Sequence, residues 1–337
     1  MTDFSRRAFS GLMIAGSLGL MARTASAAQE IDERGFVQIG GIDQWIAVQG
    51  QDRRNPLILY LHGGPGEAQS PFLEQFLPWQ RDFTVVNWDQ RGAGKTFGRN
   101  GAATPGMTVD RLVEDIAEIA QWAGARFGQR KVILVGQSWG SLLGVYAIKR
   151  HPELFHAYVG TAQVVSIPTT IADLARYARQ KAVETDDQAT LAALDAAAAL
   201  ADPAKLGAMR KASSKWAASV SDVPYTKMIE DFRGHAPYPA GDVADWVNGV
   251  SFSANTIGPT MITMDMRTLG LDMPIPFFIV QGRDDHITGL EPARLYAEDV
   301  RAPKKAFVPM RGGHYACFTN AEVFVTALRE RVRPLAI

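Results

Sequence analysis

The chain has 337 residues and no net charge, because 35 lysines and arginines balance 35 aspartates and glutamates. Hydrophobic residues make up 47% of the chain and charged residues 21%, as is typical of a soluble globular protein. With neither charge in excess, no electrostatic field favours a polyanionic partner, so we expect no nucleic acid to bind. The length fits one large α/β domain with an insertion, or two domains of ordinary size.

The first 27 residues differ from the rest of the chain. Arg6 and Arg7 precede an apolar run over residues 12–22, and residues 25–27 have the small side chains that a signal peptidase accepts. This pattern resembles a twin-arginine export signal. We expect cleavage after Ala27, contact with the twin-arginine export machinery and a periplasmic or secreted location. An uncleaved membrane anchor is the weaker interpretation, since the apolar run is too short for ~30 Å of hydrocarbon. We expect no stable membrane span after cleavage.

Beyond the leader, predicted strands and helices alternate. Residues 35–39 and 42–48, joined by two glycines, predict an antiparallel hairpin. Continuous apolar runs then predict strands buried on both faces, and helical spacing of apolar residues predicts helices between them. These strands span residues 57–61, 83–88, 132–135, 158–161, 276–280 and 306–308, and these helices span residues 108–127, 138–151, 291–300 and 321–332. The alternation predicts an α/β fold with a mostly parallel twisted sheet covered by helices.

Two glycine-rich turns follow early strands. His62-Gly63-Gly64-Pro65-Gly66 follows the strand 57–61 and can turn main-chain N–H groups inward. The stretch 91–96 resembles the end of a phosphate-binding loop, but Asp89 occupies the position five residues before Gly94 where that loop needs a glycine. We therefore reject nucleotide binding and interpret the second turn as a structural brace in which Asp89 pairs with Arg91.

Ser138 stands in Gly136-Gln137-Ser138-Trp139-Gly140, between the predicted strand 132–135 and a helix. Glycines two residues before and after it allow a sharp strand-to-helix turn that lifts the serine to the carboxyl edge of the sheet. The helix N-terminus stabilises negative charge at that place. The position therefore favours a nucleophile over a simple turn residue.

Residues 167–269 interrupt the alternation. They contain no convincing buried strand and are rich in alanine. We predict an all-helical insertion with breaks near Pro203, Pro224 and residues 235–241.

A serine nucleophile needs a base, and the base needs an orienting acid. Asp284 and Asp285 follow the strand 276–280, and His314 follows the strand 306–308. The order Ser, Asp, His, with the acid and base just after strands, is that of the α/β-hydrolase fold. His286 is a rival base, but it is adjacent to the candidate acids and can hardly reach back to them.

Two other features limit the chemistry. Cys317 is the single cysteine, so no intrachain disulfide can form, and we interpret it as a small buried core residue. The sequence has no His-Glu-x-x-His motif and no cluster of cysteines and histidines, so we expect neither a metal nor a cofactor.

For the oxyanion of an acyl-transfer reaction, the sequence predicts the backbone amides of Trp139 and Gly64 as donors.

Five motifs in order resemble the signature of the proline iminopeptidase branch of α/β hydrolases. They lie at residues 62–66, 89–94, 136–140, 282–285 and 313–314, and the resemblance covers roughly residues 35–162 and 273–333. It implies a Ser-His-Asp serine hydrolase with a helical cap, and it implies Asp285 as the orienting acid. The chain then divides into a signal peptide at 1–27, a first core part at 28–165, a helical cap at 166–270 and a second core part at 271–337.

The cap departs from the family pattern. Family aminopeptidases hold the amino group of the substrate with glutamates, often in a Trp-Glu pair, whereas Ala217 and Val247 follow the tryptophans of this segment. Glu184 and Glu230 remain possible anions. Glu67, directly after the 62–66 turn, is a candidate for binding a substrate ammonium group, or it caps a helix or forms a salt bridge.

The sequence therefore predicts an exported serine hydrolase that works through an acyl-enzyme. The expected substrate is a short peptide from which an N-terminal residue is released, as the resemblance implies. A carboxylesterase or lactone hydrolase acting on small esters is the alternative, since neither needs a free amine. A binding protein on a hydrolase scaffold is a third interpretation, because a fold does not determine function.

Overall fold

The computed structural model describes residues 29–219 and 240–336. The predicted signal peptide, Pro224 and Glu230 lie outside the described residues. In the described ranges, the strands are β1 Ile31–Ile39, β2 Ile42–Gly50, β3 Leu57–Leu61, β4 Thr84–Trp88, β5 Val132–Gln137, β6 Phe155–Thr161, β7 Phe277–Gly282 and β8 Lys305–Met310.

The strands form one sheet in the order β1-β2-β4-β3-β5-β6-β7-β8. Strand β2 is antiparallel to both β1 and β4, and every other neighbouring pair is parallel. The hairpin and the mostly parallel α/β sheet predicted from the sequence are confirmed. Every residue of β3, β4, β5 and β7 is buried, which explains their unbroken apolar runs.

Helices cover both faces of the sheet. Within the described ranges they are α1 Leu77–Gln80, α2 Gly94–Asn100, α3 Val109–Phe127, α4 Trp139–Arg150, α5 Ile167–Glu184, α6 Gln188–Ala198, α7 Ala204–Ser219, α8 Ala240–Met261, α9 Leu290–Asp299, α10 Ala316–Thr319 and α11 Ala321–Arg331. Helix α3 begins as predicted, because the Thr108 side chain accepts a hydrogen bond from the Arg111 backbone N–H. None of the helices in the described ranges is both long and apolar enough to cross a membrane.

Alternation along the strands divides the core into two layers. In β3, Leu57, Leu59 and Leu61 face the layer formed with α3, α4 and α9, whereas Ile58 and Tyr60 face the layer formed with α1 and α11. Cys317 is fully buried in the second layer, which confirms its interpretation as a core residue. Each fully buried leucine or isoleucine of these layers stabilises the fold by about 1.5–3 kcal/mol.

The described residues between β6 and β7 are mainly helical. Helix α6 ends at Ala198 and α7 begins at Ala204, so the predicted break at Pro203 is confirmed. Helices α5, α6 and α7 pack through small side chains such as Ala178 and through Leu194. Helix α8 contacts the sheet-edge loops directly: the Trp246 indole N–H donates to the Ala68 carbonyl at 2.8 Å.

Candidate active site

Ser138 lies at the junction of β5 and α4 with φ 52° and ψ −119°, a conformation that a side-chain-bearing residue rarely adopts. Its backbone N–H donates to the Thr161 carbonyl at 3.1 Å, and its own carbonyl accepts from the Ser141 hydroxyl at 2.6 Å. The neighbouring Gln137 and Trp139 are buried, whereas Ser138 is partly exposed. Such local strain in an accessible residue is typical of functional sites.

The two glycines of the motif are required by close packing. A Cβ atom at Gly136 would lie 2.4 Å from the Gly140 carbonyl oxygen, and one at Gly140 would lie 2.1 Å from the Leu61 carbonyl oxygen. Both distances are shorter than any real carbon–oxygen contact. The tight turn predicted from the sequence therefore has a specific cause, the close approach of α4 to the end of β3.

Asp285 and His314 meet at the carboxyl edge of the sheet. The His314 Nδ1 atom lies 3.1 Å from Oδ2 and 3.2 Å from Oδ1 of Asp285. Only 6% of His314 and 2% of Asp285 is exposed to solvent. A Cβ at Gly282 would lie 2.2 Å from the Gly313 carbonyl oxygen, so the glycine that ends β7 allows the histidine loop to pack this closely.

The Asp285 carboxylate is surrounded by donors. The backbone N–H groups of Ile287 and Thr288 donate to Oδ1 at 2.9 and 3.0 Å, and the Thr288 hydroxyl donates to Oδ2 at 2.6 Å. Burial by itself raises the pKa of this carboxyl group, but the charge of His314 and these hydrogen bonds outweigh burial and lower the pKa. Asp285 is therefore ionised at neutral pH and able to orient an imidazole.

The structure separates the other two candidates of this loop from the Asp285–His314 pair. Asp284 is exposed. His286 is also exposed, and its ring stacks on Tyr177 of α5 with centroids 4.4 Å apart. A cap helix therefore contacts the loop that carries Asp285.

The turn at 62–66 lies against the nucleophile. A Cβ at Gly63 would lie 3.3 Å from the Ser138 Cβ and 2.4 Å from the Gln137 Oε1 atom. Gly64, whose amide is the predicted oxyanion donor, has φ 113°, which favours glycine. The glycines of the turn thus allow its main chain to run directly beside Ser138.

His62 holds this turn in place. Its Nδ1 atom lies 2.8 Å from the Gly63 carbonyl, and its Nε2 atom accepts from the Gln90 backbone N–H at 3.1 Å. Burial lowers the pKa of His62 to about 4, so the ring is neutral at physiological pH. A neutral ring with its proton on Nδ1 satisfies both contacts, which gives His62 a structural place in the loop.

Sequence reasoning missed Gln90. Its side chain donates to the His62 carbonyl at 3.0 Å and accepts from the Trp139 indole N–H at 3.1 Å. Gln90 thereby joins the 62–66 turn to the first residue of α4. The only signal in the sequence was its place within the 89–94 motif.

The predicted pairing of Asp89 with Arg91 is wrong. Arg91 donates to Asp115 of α3 at 2.8 and 3.0 Å, and both side chains are almost fully buried. Asp89 instead accepts from the Ser70 hydroxyl at 2.7 Å and from the Lys95 backbone N–H at 2.8 Å. Asp89 and Arg91, two residues apart, point in different directions, so each bonds a different part of the chain.

Glu67 is partly buried near the Asp285–His314 pair. Its Oε2 atom accepts from the Tyr315 hydroxyl at 3.4 Å. Burial raises the pKa of Glu67, opposed by the charge of His314, by that hydrogen bond and by the charge of Arg210. The next helical turn has Gln69 as its N-cap, so Glu67 does not cap it. Of the three interpretations of Glu67, the helix cap is wrong.

The other candidate anions are placed differently. Glu184 lies at the end of α5, exposed and paired with Lys181 at 2.7 Å. Glu230 lies outside the described residues. In the ranges 29–219 and 240–336, no group of three or more histidine, cysteine, aspartate or glutamate side chains is arranged to hold a metal ion.

Comparison with known proteins identifies the family. The family model described as alpha/beta hydrolase fold matches residues 56–321. The chain belongs to the α/β-hydrolase family. The matched range of this α/β hydrolase includes the 62–66 turn, Ser138, Asp285 and His314.

Curated relatives of this α/β hydrolase include aminopeptidases. The chain is 25% identical over 317 residues to a Bacillus subtilis protein named probable aminopeptidase YbaC, a match that covers 88% of this chain and 95% of that protein. It is 33% identical over 123 residues to a proline iminopeptidase of Neisseria meningitidis serogroup A, which covers 35% of this chain and 36% of that protein.

Solved structures agree on the fold. The proline iminopeptidase of Mycobacterium smegmatis matches with a TM-score of 0.67 at 18% identity, covering 90% of this chain and 98% of that one. The proline iminopeptidase-related protein TTHA1809 of Thermus thermophilus matches with a TM-score of 0.62 at 21% identity, covering 91% and 99%. At these identities, the likeness establishes the α/β-hydrolase fold and no more.

Proposed function

We propose that this α/β hydrolase is a serine hydrolase in which Ser138 is the nucleophile, His314 the general base and Asp285 the acid that orients it. The hydrogen bond from His314 Nδ1 to Asp285 is the observation that carries this proposal. With Nδ1 engaged, Nε2 is the nitrogen that takes the serine proton.

The reaction then has two stages. The Ser138 oxygen attacks a carbonyl carbon as its proton passes to His314, and the amides of Gly64 and Trp139 stabilise the oxyanion. His314 returns the proton to the leaving amine or alcohol, which leaves an acyl-enzyme. Water deprotonated by His314 attacks that ester and releases the acid, and the proton returns to Ser138. The N-terminus of α4 stabilises negative charge at the same place.

We further propose that the substrate has a free N-terminal amine, so that the activity is that of an aminopeptidase. Glu67 supports this assignment, because it places a partly buried carboxylate near His314 where an ammonium group can neutralise it. The names of the relatives in Bacillus subtilis and Neisseria meningitidis point the same way.

The test compares three substrates on the chain that begins at residue 28: a prolyl arylamide, its N-acetylated form and a short-chain aryl ester. We expect cleavage of the free-amine arylamide and none of the acetylated form. Turnover of the ester alone would support the carboxylesterase or lactone hydrolase instead. Ser138→Ala should lower kcat by about 10⁶-fold on every substrate. A Ser138→Ala variant that keeps its activity would overturn the nucleophile assignment.

A second comparison tests the amine site. Glu67→Gln should lower kcat/KM on the prolyl arylamide by about 10- to 100-fold, the value of a hydrogen bond to a charged group, and leave ester hydrolysis unchanged. Glu330→Gln is the matched control, because it makes the same change at an exposed glutamate of α11. An equal loss on arylamide and ester would assign Glu67 to the general integrity of the site and not to amine binding.

We also propose that the protein is exported through the twin-arginine route. The paired arginines at positions 6 and 7 and the small residues at 25–27 support this proposal. Replacement of both arginines by lysine should retain the protein, with its leader uncleaved, inside the cell. Export of that variant at the normal rate would overturn the route.

A further inference from the structure

A chain of buried polar groups joins Asp285 to Ser138 behind the site. It begins at Gln281 of β7, a side chain with no exposed surface. The Gln281 Nε2 group donates to Asp285 Oδ2 at 3.1 Å and lies 3.3 Å from the Thr288 hydroxyl. Its Oε1 atom accepts from the Gln163 backbone N–H at 2.9 Å. Both ends of this amide are therefore occupied, which fixes its orientation.

Gln163, after β6, continues the chain. Its Oε1 atom lies 2.8 Å from the Tyr158 hydroxyl, and its Nε2 group donates to the Val164 carbonyl at 2.7 Å. A Cβ at Gly160 would lie 1.9 Å from the Gln163 Oε1 atom. The glycine in β6 thus leaves room for this amide, so a fully buried polar side chain occupies a specific space in the sheet edge.

The chain ends at the nucleophile. The Val164 backbone N–H donates to the Ser141 hydroxyl at 2.9 Å, and that hydroxyl donates to the Ser138 carbonyl at 2.6 Å. The Tyr158 hydroxyl also lies 2.8 Å from the Ser141 carbonyl. Hydrogen bonds, linked through the covalent main chain of residues 163 and 164, therefore connect the orienting acid to the strained serine.

We propose that Gln281 and Gln163 are positioning residues that fix the Asp285 carboxylate relative to the Ser138 turn. The inference rests on the proposed Ser-His-Asp function. A glutamine suits position 281 because its amide donates to a carboxylate and accepts from a main-chain N–H at the same time. A buried amide stabilises the fold only when both ends are paired, so the pairing also selects one arrangement of the acid.

The expected consequence is a change in kcat without a change in KM. Gln281 has no exposed surface and does not reach the substrate, but the carboxylate that it holds orients His314. Misplacement of a catalytic group by about 1 Å can cost 10²-fold in rate. We therefore expect Gln281→Met, which keeps the length and loses the amide, to lower kcat by about 10- to 100-fold with KM changed less than about threefold.

Gln281→Glu provides a readout that a purely structural role would not move. The protonated glutamic acid donates and accepts as glutamine does, whereas the ionised form repels Asp285. The hydrogen bonds of Gln281 lead to Asp285 and through it to His314, and on the other side to Gln163 and Tyr158. Arg283 and Asp284, the nearest ionisable residues in the sequence, are exposed. We expect near-normal kcat at acidic pH and a loss of kcat as pH rises, an alkaline limb that the unchanged protein lacks.

The experiment measures kcat, KM and pH profiles for Gln281→Met, Gln281→Glu and Gln163→Met in the chain that begins at residue 28. Gln129→Met is the matched control, because the Gln129 side chain also bonds the main chain. It lies beside the start of β3, at the amino ends of the parallel strands, whereas the site lies at their carboxyl ends. Thermal unfolding shows which variants are folded. If the methionine variants do not fold, Gln281→Glu still tests the role, because its protonated side chain keeps the length, one donor and one acceptor of glutamine.

The outcomes separate this inference from the proposed function. A Ser138→Ala variant that keeps its activity would overturn the proposed function. If Ser138→Ala is inactive but folded Gln281→Met has normal kcat, or if Gln281→Glu has the pH profile of the unchanged protein, the positioning role is wrong and the Ser-His-Asp assignment remains. Loss of kcat in Gln281→Met together with an alkaline limb in Gln281→Glu supports the role.

Discussion

The carboxyl edge of the sheet and the helices α5–α7 hold their polar residues in different ways. At the sheet edge, buried side chains bond across long stretches of sequence: Gln281 to the main chain of Gln163, and Arg91 to Asp115. In α5–α7, ion pairs lie at the surface with at least one exposed partner, as in Lys181–Glu184, where 33% and 45% of the side chains are exposed.

The difference lies in what each polar residue loses when its partner is removed. A buried polar group that loses its partner costs the full desolvation penalty, so each residue at the sheet edge restricts its neighbours. An exposed pair exchanges its partner for water at little cost. The site residues are therefore fixed several times over, whereas the helices beside them tolerate change.

After Ser138→Ala, the largest effect is expected at the acid. Asp285→Asn should lower kcat by about 10⁴-fold, because an amide places an N–H among the donors of Thr288 and Gln281 and no longer orients the imidazolium. Steady-state kinetics measures the loss, with Asp284→Asn as the exposed control. A decrease of less than tenfold would show that the carboxylate is dispensable.

Stability should respond most at the buried ion pair. Asp115→Asn should lower the free energy of unfolding by about 3–5 kcal/mol, because Arg91 is left charged in a site without solvent. Denaturant titration measures the change. Asp110→Asn, in the same helix but with 80% of its side chain exposed, should change it by less than about 1 kcal/mol. Equal effects at the two positions would contradict the proposed contrast between buried and exposed pairs.

A pH dependence is expected from Asp89. Burial raises the pKa of its carboxyl group to about 7, despite hydrogen bonds from Ser70 and Lys95 that oppose the shift. Since the folded state binds this proton more tightly than the unfolded state, stability from this group is complete below about pH 4 and is lost as pH rises toward 7. The asparagine variant has no such proton and keeps an oxygen for both donors.

Thermal unfolding between pH 4 and 8 tests this sign. The melting temperature of Asp89→Asn, relative to the unchanged protein, should increase with pH across that interval. A difference that stays constant or decreases with pH would place the pKa of Asp89 below the interval.

The smallest effect is expected in the helical segment. Arg179→Met should change the free energy of unfolding by less than about 0.5 kcal/mol, because Arg179 and Asp195 are both largely exposed and the methionine retains most of the aliphatic stem. The same denaturant titration applies. A loss near that of Asp115→Asn would show that α5–α7 are as tightly specified as the sheet edge.

The sequence predicted the sheet and its helices well, because their signals are local. Continuous apolar runs marked the strands, and the glycines around Ser138 marked the turn. The structure gives the reason: a Cβ at Gly136 would overlap the Gly140 carbonyl, and a Cβ at Gly140 would overlap the Leu61 carbonyl. The order of strands was not contained in those local patterns. The antiparallel β2 lies next to β4 and not next to β3.

The polar partners could not be predicted from neighbouring residues. Asp89 and Arg91 are two apart and of opposite charge, yet they point to different elements, and Arg91 meets Asp115 only when α3 packs on the sheet. The roles of Gln281 and Gln163 were invisible for the same reason, since their contact joins β7 to the end of β6. Assignment of Ser138, Asp285 and His314 to catalysis stays a prediction until it is measured.

Helix α8 lies directly on glycines of the 62–66 turn and of α2. A Cβ at Gly66 would lie 2.8 Å from the Val250 Cα, and one at Gly98 would lie 2.1 Å from an Asp245 carboxylate oxygen. The Ser253 hydroxyl also donates to the Gly92 carbonyl at 2.8 Å. A chimaera that exchanges the helical segment with that of a relative must therefore transfer the segments 62–68 and 89–98 together with α8, so these pieces form one unit for recombination.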